Sequence, residues 1–156
     1  MRKWWLILLV TGALISRWET SDRQINRLEP VQTIQVMRTG DGVQIRTDTG
    51  AAGYGSTLSS AVENLHSATD GVVFLETAQY LLVDDRQDLE LLSHWLRPAC
   101  DVCLARDPMD LELAGEYLAV HKPETTLLQY LAGKRDLMIY YSREGRGQLA
   151  PSGKPE

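Results

Sequence analysis

Residues 53–85 read GYGSTLSSAVENLHSATDGVVFLETAQYLLVDD, and the fold is decided in this stretch. A glycine-rich turn leads into Ser56 and Thr57, either of which can cap a helix start with its hydroxyl. Leu58, Ala61, Val62 and Leu65 recur at i, i+3, i+4 and i+7, which predicts one buried stripe of an α-helix. Residues 67–71 break that helix. Residues 72–75 and 78–83 follow as two β-rich apolar runs, the second closed by Asp84 and Asp85. A helix followed directly by a buried strand is an α/β core unit.

Upstream of this unit, residues 49–55 read as a small-residue loop. Before them Val43, Ile45 and Thr47 alternate with Gln44, Arg46 and Asp48, the pattern of a half-exposed strand. Residues 31–38 are rich in β-branched side chains and predict a second strand. Thr39-Gly40-Asp41-Gly42 is a strong turn signal between them, so residues 31–48 predict a β-hairpin. Downstream, Leu89, Leu92, Trp95 and Leu96 predict an amphipathic helix that Pro98 stops. Residues 101–106 predict a short strand. Asp107-Pro108 resembles an N-cap with proline at the first helical position, ahead of a helix carrying Leu111, Ala114, Tyr117 and Leu118. Thr125 or Thr126 can cap a short fourth helix ending near Gly133. Leu137, Ile139 and Tyr141 alternate with Met138 and Tyr140 in a last strand. Residues 143–156 are rich in Gly, Pro, Ser and charge, and are expected to be a disordered tail.

The chain has 156 residues, 44% of them hydrophobic, which is enough for one domain with a real core. Its net charge is −5, and no dense basic patch occurs beyond the extreme N-terminus. Nucleic-acid binding is therefore disfavoured. Two cysteines are too few for a disulfide scaffold. At the N-terminus Arg2 and Lys3 precede an uncharged apolar run, residues 4–15, that is shorter than the roughly 20 residues of a comfortable membrane span. Residues 1–16 are read as a signal peptide or signal anchor and residues 17–30 as a linker. Trp4, Trp5 and Trp18 flank the run and suit a membrane–water interface. Val10-Thr11-Gly12 is the usual run-up to a lipoprotein cysteine, but Ala13 follows, and without a thiol no lipid can be attached there.

Little in the sequence points to chemistry. Cys100 and Cys103 have the C-x-x-C spacing, which works as a redox pair at a helix N-terminus, where the dipole lowers the first thiol's pKa. Here the pair runs into an apolar segment expected to be a strand. Positions three apart on a strand point to opposite faces, which prevents an easy bridge. No second ligand pair stands nearby for zinc. Gly50, Gly53 and Gly55 ahead of a helix could cradle an anion, but the lysine of a P-loop is missing. His66, His94 and His121 fall on or at the ends of three different expected helices. Asp84 and Asp85 read as a strand end rather than a metal site. No catalytic, cofactor-binding or metal-ligating residue is assigned.

With these pieces placed, the chain resembles the N-terminal domain of the Ger(x)C family, the C subunits of bacterial spore germinant receptors. Residues 8–12 resemble that family's lipoprotein signal. Trp18 followed by Asp22-Arg23-Gln24-Ile25-Asn26-Arg27-Leu28 is similar to its W-D-x-R-E-I-N-x-L opening, with Asp22 set apart from Trp18 rather than adjacent to it. Residues 31–37 resemble the strand after it. Residues 53–65 resemble its G-x-G-x-T-hydrophobic-x-x-A-hydrophobic-x-x-L stretch. Residues 74–84 and 89–105 resemble the strand, helix and strand that follow. Family members continue into two further domains. The resemblance implies an exported protein on the outer face of a membrane, without catalytic residues, working with two integral-membrane receptor subunits in germinant response.

The expectation is one α+β domain over residues 31–142, with a small mixed sheet and helices packed mainly on one face, behind the N-terminal hydrophobic segment. Its expected role is non-enzymatic contact at the extracytoplasmic face of a membrane in sporulation or germination, with no cofactor. The alternatives are an extracytoplasmic thiol-disulfide oxidoreductase using Cys100 and Cys103, and a small-ligand binder using the loop from Gly50 to Gly55.

Overall fold

The computed structural model describes residues 28–152, apart from 70–71, 135 and 144–145. The expected signal or anchor over residues 1–16, and most of the linker, lie outside the described residues.

Seven strands form one mixed sheet in the order β4-β3-β2-β6-β7-β8-β9. Its centre is parallel: β2 (Thr33–Thr39), β6 (Tyr80–Val83), β7 (Asp101–Leu104) and β8 (Met138–Arg143) run side by side. Antiparallel strands flank it, β3 (Gly42–Thr47) with β4 (Ala52–Gly55) at one edge and β9 (Arg146–Pro151) at the other. A separate two-stranded parallel ribbon pairs β1 (Leu28–Pro30) with β5 (Val72–Phe74).

Parallel neighbours require crossovers, and the helices supply them. Helices α1 (Leu58–Ala68), α2 (Asp88–Leu92) and α4 (Leu127–Leu131) cover one face, burying Leu58, Leu65, Leu89, Leu92, Leu127 and Tyr130 against Ile34, Ile45, Leu81, Val83 and Val102. Helix α3 (Leu111–Val120) covers the other, where Leu111, Ala114 and Leu118 meet Tyr80, Leu82, Cys103 and Tyr140. The mixed sheet and the bias of helices to one face agree with the sequence. The sheet is larger than expected, and its parallel centre with helices on both faces makes the core α/β.

Local chemistry explains the helix starts. Thr57 and Ser60 form a capping box at α1, with reciprocal bonds of 3.2 and 3.0 Å. Thr126 and Gln129 do the same at α4, at 3.3 and 3.0 Å. Gly133 follows α4 at φ +104, a left-handed position that favours glycine.

Three expectations are corrected. The N-cap of α3 is Asp110, not Asp107: its carboxylate accepts from the N–H groups of Glu112 and Leu113, while the Asp107 carbonyl accepts from Gln35 Nε2 at 2.8 Å. The helix expected across residues 89–96 stops at Leu92 and continues as turns to the buried Leu96. Within the expected disordered tail, residues 146–151 are strand β9, fully paired with β8 through Arg143↔Arg146 to Met138↔Pro151. Its composition offers few apolar residues, so its order comes from ladder hydrogen bonds and from Leu149 against the α3 cluster.

Candidate functional site

The glycines of residues 53–55 have a packing role. Gly53 and Gly55 lie on β4 opposite Ile45 and Val43, on the face that α1 covers. A Cβ on Gly53 would collide with the Ala61 carbonyl and lie 2.7 Å from Leu65 Cβ. A Cβ on Gly55 would collide with Ser60 Oγ and meet the Ala61 nitrogen at 2.5 Å. The stretch expected to be a loop is therefore a strand whose missing side chains let the helix backbone approach. No free N–H cradle for an anion is formed by these two glycines. Gly50, at φ +86, makes the turn between β3 and β4 instead.

The cysteines are brought near each other but not together. Cys100 lies in the core beneath α1, α2 and α4, and Cys103 in the cluster beneath α3. Both thiols are free and buried, on opposite faces of the sheet. Burial pushes each up to about 12 from 9.0; Asp101 adds to the rise at both, and Arg97 opposes it at Cys100. An active dithiol needs a lowered thiolate pKa and an exposed sulfur. This pair has neither, so its geometry lends the Cys100/Cys103 oxidoreductase alternative no support.

His66, His94 and His121 are all exposed. His121 stacks on Tyr117 with ring centroids 4.5 Å apart, and His94 meets the edge of Trp95. No group of three or more histidine, cysteine or acidic side chains among the described residues could hold a metal ion.

Polar side chains converge where the parallel strands end. Asp88 on α2 is fully buried and takes two bonds from Arg38, Nη2 to Oδ1 at 2.5 Å and Nε to Oδ2 at 3.1 Å. The Arg38 backbone N–H donates to Asp84 Oδ2 at 2.6 Å, and Asp85 lies 3.5 Å from Arg38 Nε. The hydrogen bond and charge of Asp88 raise the Arg38 pKa, with Asp85 and Asp84 adding to it. Asp84 and Asp85 thus close β6, as their sequence position implied, and tie the end of β2 to α2.

Beside this cluster, a crevice of about 500 Å³ opens over the carboxyl ends of β6 and β7, with β8 beside them. Leu104 and Ile139 line its apolar part, and Asp84, Asp85, Arg86, Gln87, Arg106 and Ser152 its polar part. Arg86 Nη2 donates to Ser152 Oγ at 3.0 Å, while the buried Asp84 Oδ1 has no hydrogen-bond partner. Open α/β sheets bind ligands outside the carboxyl ends of their strands. Sequence reasoning missed this crevice, because its residues are contributed by four separate segments. A second groove, of about 510 Å³, runs between the β3–β4 turn at Gly50 and the start of α3. The Asp110 carboxylate already occupies the first free N–H groups of that helix.

No protein-family model, curated protein or solved structure matches this chain.

Proposed function

We propose that this chain is a non-catalytic contact module at the outer face of a membrane, of the kind found at the N-terminus of the Ger(x)C germinant receptor subunits. One observation carries the reading. One of the segments that carry the resemblance, residues 53–65, has a specific packing reason at its start: two glycines, Gly53 and Gly55, under α1, and Thr57, which caps it. A glycine-for-packing pattern followed by a capping threonine is a structural signature rather than a reactive one. Of the other resembling segments, residues 31–37, 74–84 and 89–105 fall, in order, on β2, β6, α2 and β7 of one sheet, while residues 8–12 and 18–27 lie outside the described residues. Among the described residues no helix is long and apolar enough to cross a membrane; in this reading the apolar run of residues 4–15 is the attachment.

Removing residues 1–16 tests the tether-plus-domain arrangement. The shortened chain is expected to stay in solution and unfold cooperatively, while the full chain sediments with membranes. A shortened chain that is insoluble or lacks a thermal transition sinks the arrangement. Genes for multi-pass receptor subunits beside this one support the germination role; a neighbourhood devoted to disulfide metabolism counts against it.

The crevice favours a second reading, small-ligand binding. It has the size of a small-molecule site and combines an apolar floor with two guanidinium groups and an unpaired carboxylate oxygen. This moves the ligand-binding alternative away from the Gly50 to Gly55 loop. Amide shifts confined to residues 84–87 and 104–106 on addition of small carboxylates, and absent from Arg106→Ala, would support it.

A further inference from the structure

The ribbon of β1 and β5 stands apart from the main sheet. Leu28, Glu29 and Pro30 pair in register with Val72, Val73 and Phe74. Cross-strand partners share a side, so the ribbon has an inner and an outer surface. Val73 faces inward, 2% exposed, and belongs to the core. Val72 and Phe74 face outward at 53% and 37% exposure, and Pro30, the partner of Phe74, is exposed beside them. The solvent side of a half-buried strand ordinarily carries polar residues. Here it carries valine, phenylalanine and proline.

Position along the chain bears on what could cover this surface. The ribbon contains the first described strand, and only residues 16–27 separate it from the apolar run of residues 4–15. Twelve residues reach at most about 40 Å when fully extended. A chain held in a bilayer by that run therefore enters its folded domain at the ribbon. Charge narrows the mode of contact. No lysine or arginine occurs in residues 28–37 or 72–79, Glu76 lies next to Phe74, and the chain carries −5 overall. The ribbon's own strands thus offer anionic headgroups no cation, the nearest being Arg17, Arg23 and Arg27 of the connecting segment, and apolar contact with a zwitterionic interface is the term the ribbon itself can supply.

We propose that the outer surface of the β1–β5 ribbon, Pro30 with Val72 and Phe74, rests on the lipid bilayer from which the chain emerges. Two or three apolar side chains bind a membrane weakly alone, but a short tether makes the contact intramolecular and raises its effective concentration. The inference rests on reading residues 4–15 as a retained anchor.

The test uses the full chain in phosphatidylcholine vesicles, with an environment-sensitive dye on Glu76→Cys or, as a control at the far end of β2, on Asp41→Cys. Cys100 and Cys103 are buried and do not compete for the dye. Spin-labelled lipid is expected to quench the dye at position 76 at least twofold more than at 41, with no change in 0.5 M salt. Val72→Ser/Phe74→Ser, in exposed positions that leave the core intact, is expected to abolish the difference while the protein still floats with vesicles. Equal quenching at the two positions in floating protein overturns the ribbon contact and leaves the anchor standing. So does quenching that survives the double substitution, or a dye shielded in proportion to protein concentration without lipid, which means a second copy covers the ribbon. Protein that does not float removes the anchor and the proposal with it.

Discussion

The two faces of the sheet are made from the same strands, yet they handle buried polarity in opposite ways. The face under α1, α2 and α4 is a continuous apolar layer bordered by one buried charge, Asp88, which is held by two bonds from Arg38. The face under α3 is smaller and includes Thr33 and Gln35, both fully buried. Thr33 Oγ1 lies against Gly115 of α3, and neither it nor Gln35 Oε1 has a hydrogen-bond partner. A charge without a partner would cost several kcal/mol, whereas a neutral oxygen costs about 1–3. Among the described residues the one fully buried charge, Asp88, is paired, whereas two neutral oxygens on the smaller face are left without a partner.

The largest effect expected from this contrast is at Arg38. Arg38→Ala takes both bonds from the buried Asp88, but the Arg38 side chain is half-exposed and water can follow it in, so unfolding free energy should fall by about 2–3 kcal/mol in urea titrations. Adding Asp88→Asn should restore more than half of the loss. A loss below about 1 kcal/mol would mean that the pair is dispensable and the contrast between faces is wrong.

Next is the contact between α1 and β4. Gly53→Ala sets a methyl group against helix backbone and should cost roughly 1–3 kcal/mol. Gly40→Ala, with nothing within 4 Å of its added carbon, is the control and should change stability by under about 0.5 kcal/mol. Equal costs at both positions would remove the close-approach explanation of the Gly-Tyr-Gly motif.

An alkaline titration compares the two faces through their cysteines. The folded protein holds Cys100 and Cys103 protonated up to about 12, while an unfolded thiol ionises near 9.0. The unfolded chain therefore loses protons first as pH rises. Stability is present in full below about 9 and falls between about 9 and about 12, each thiol contributing a slope of up to about 1.4 kcal/mol per pH unit. Tyr80 and Tyr140, raised chiefly by burial, act in the same direction. Cys100→Ala and Cys103→Ala should each flatten the slope by one thiol. If only one of them does, the other sulfur is open to water in solution.

The smallest effect is a gain. Thr33→Val keeps the shape and removes an oxygen without a partner, and should stabilise by about 1 kcal/mol in the same urea titrations. A loss would show that the hydroxyl has a bridging water, and that the α3 face is satisfied after all.

How far all this was legible in the sequence differs by element. Helix α1 could be read because its four apolar positions and its cap lie within eleven consecutive residues, 57–67. The hairpin of β2 and β3 was equally local. Strand β4 was hidden because its two inward positions are glycines, which carry no apolar signal although they face the core. Strand β9 was hidden because its order comes from pairing along β8. The expected separation of Cys100 and Cys103 onto opposite faces follows from a strand's two-residue period, and the observed placement agrees. The crevice lining was out of reach, since Asp84, Leu104, Ile139 and Ser152 come together only when four strands align.

The sequence by itself determined where α1 and α4 start, which residues are apolar enough to form a core, and that the two thiols could not easily meet. Those are properties of short windows, governed by hydroxyl caps and by the periods of helix and strand. Only the tertiary structure decided the parallel order β2-β6-β7-β8, the passage of α3 to the far face, the pairing of Arg38 with Asp88, and the apolar outer surface of the β1–β5 ribbon. Each of these joins elements whose paired residues lie more than twenty positions apart, and nothing local in a chain encodes which distant strand its hydrogen bonds will find.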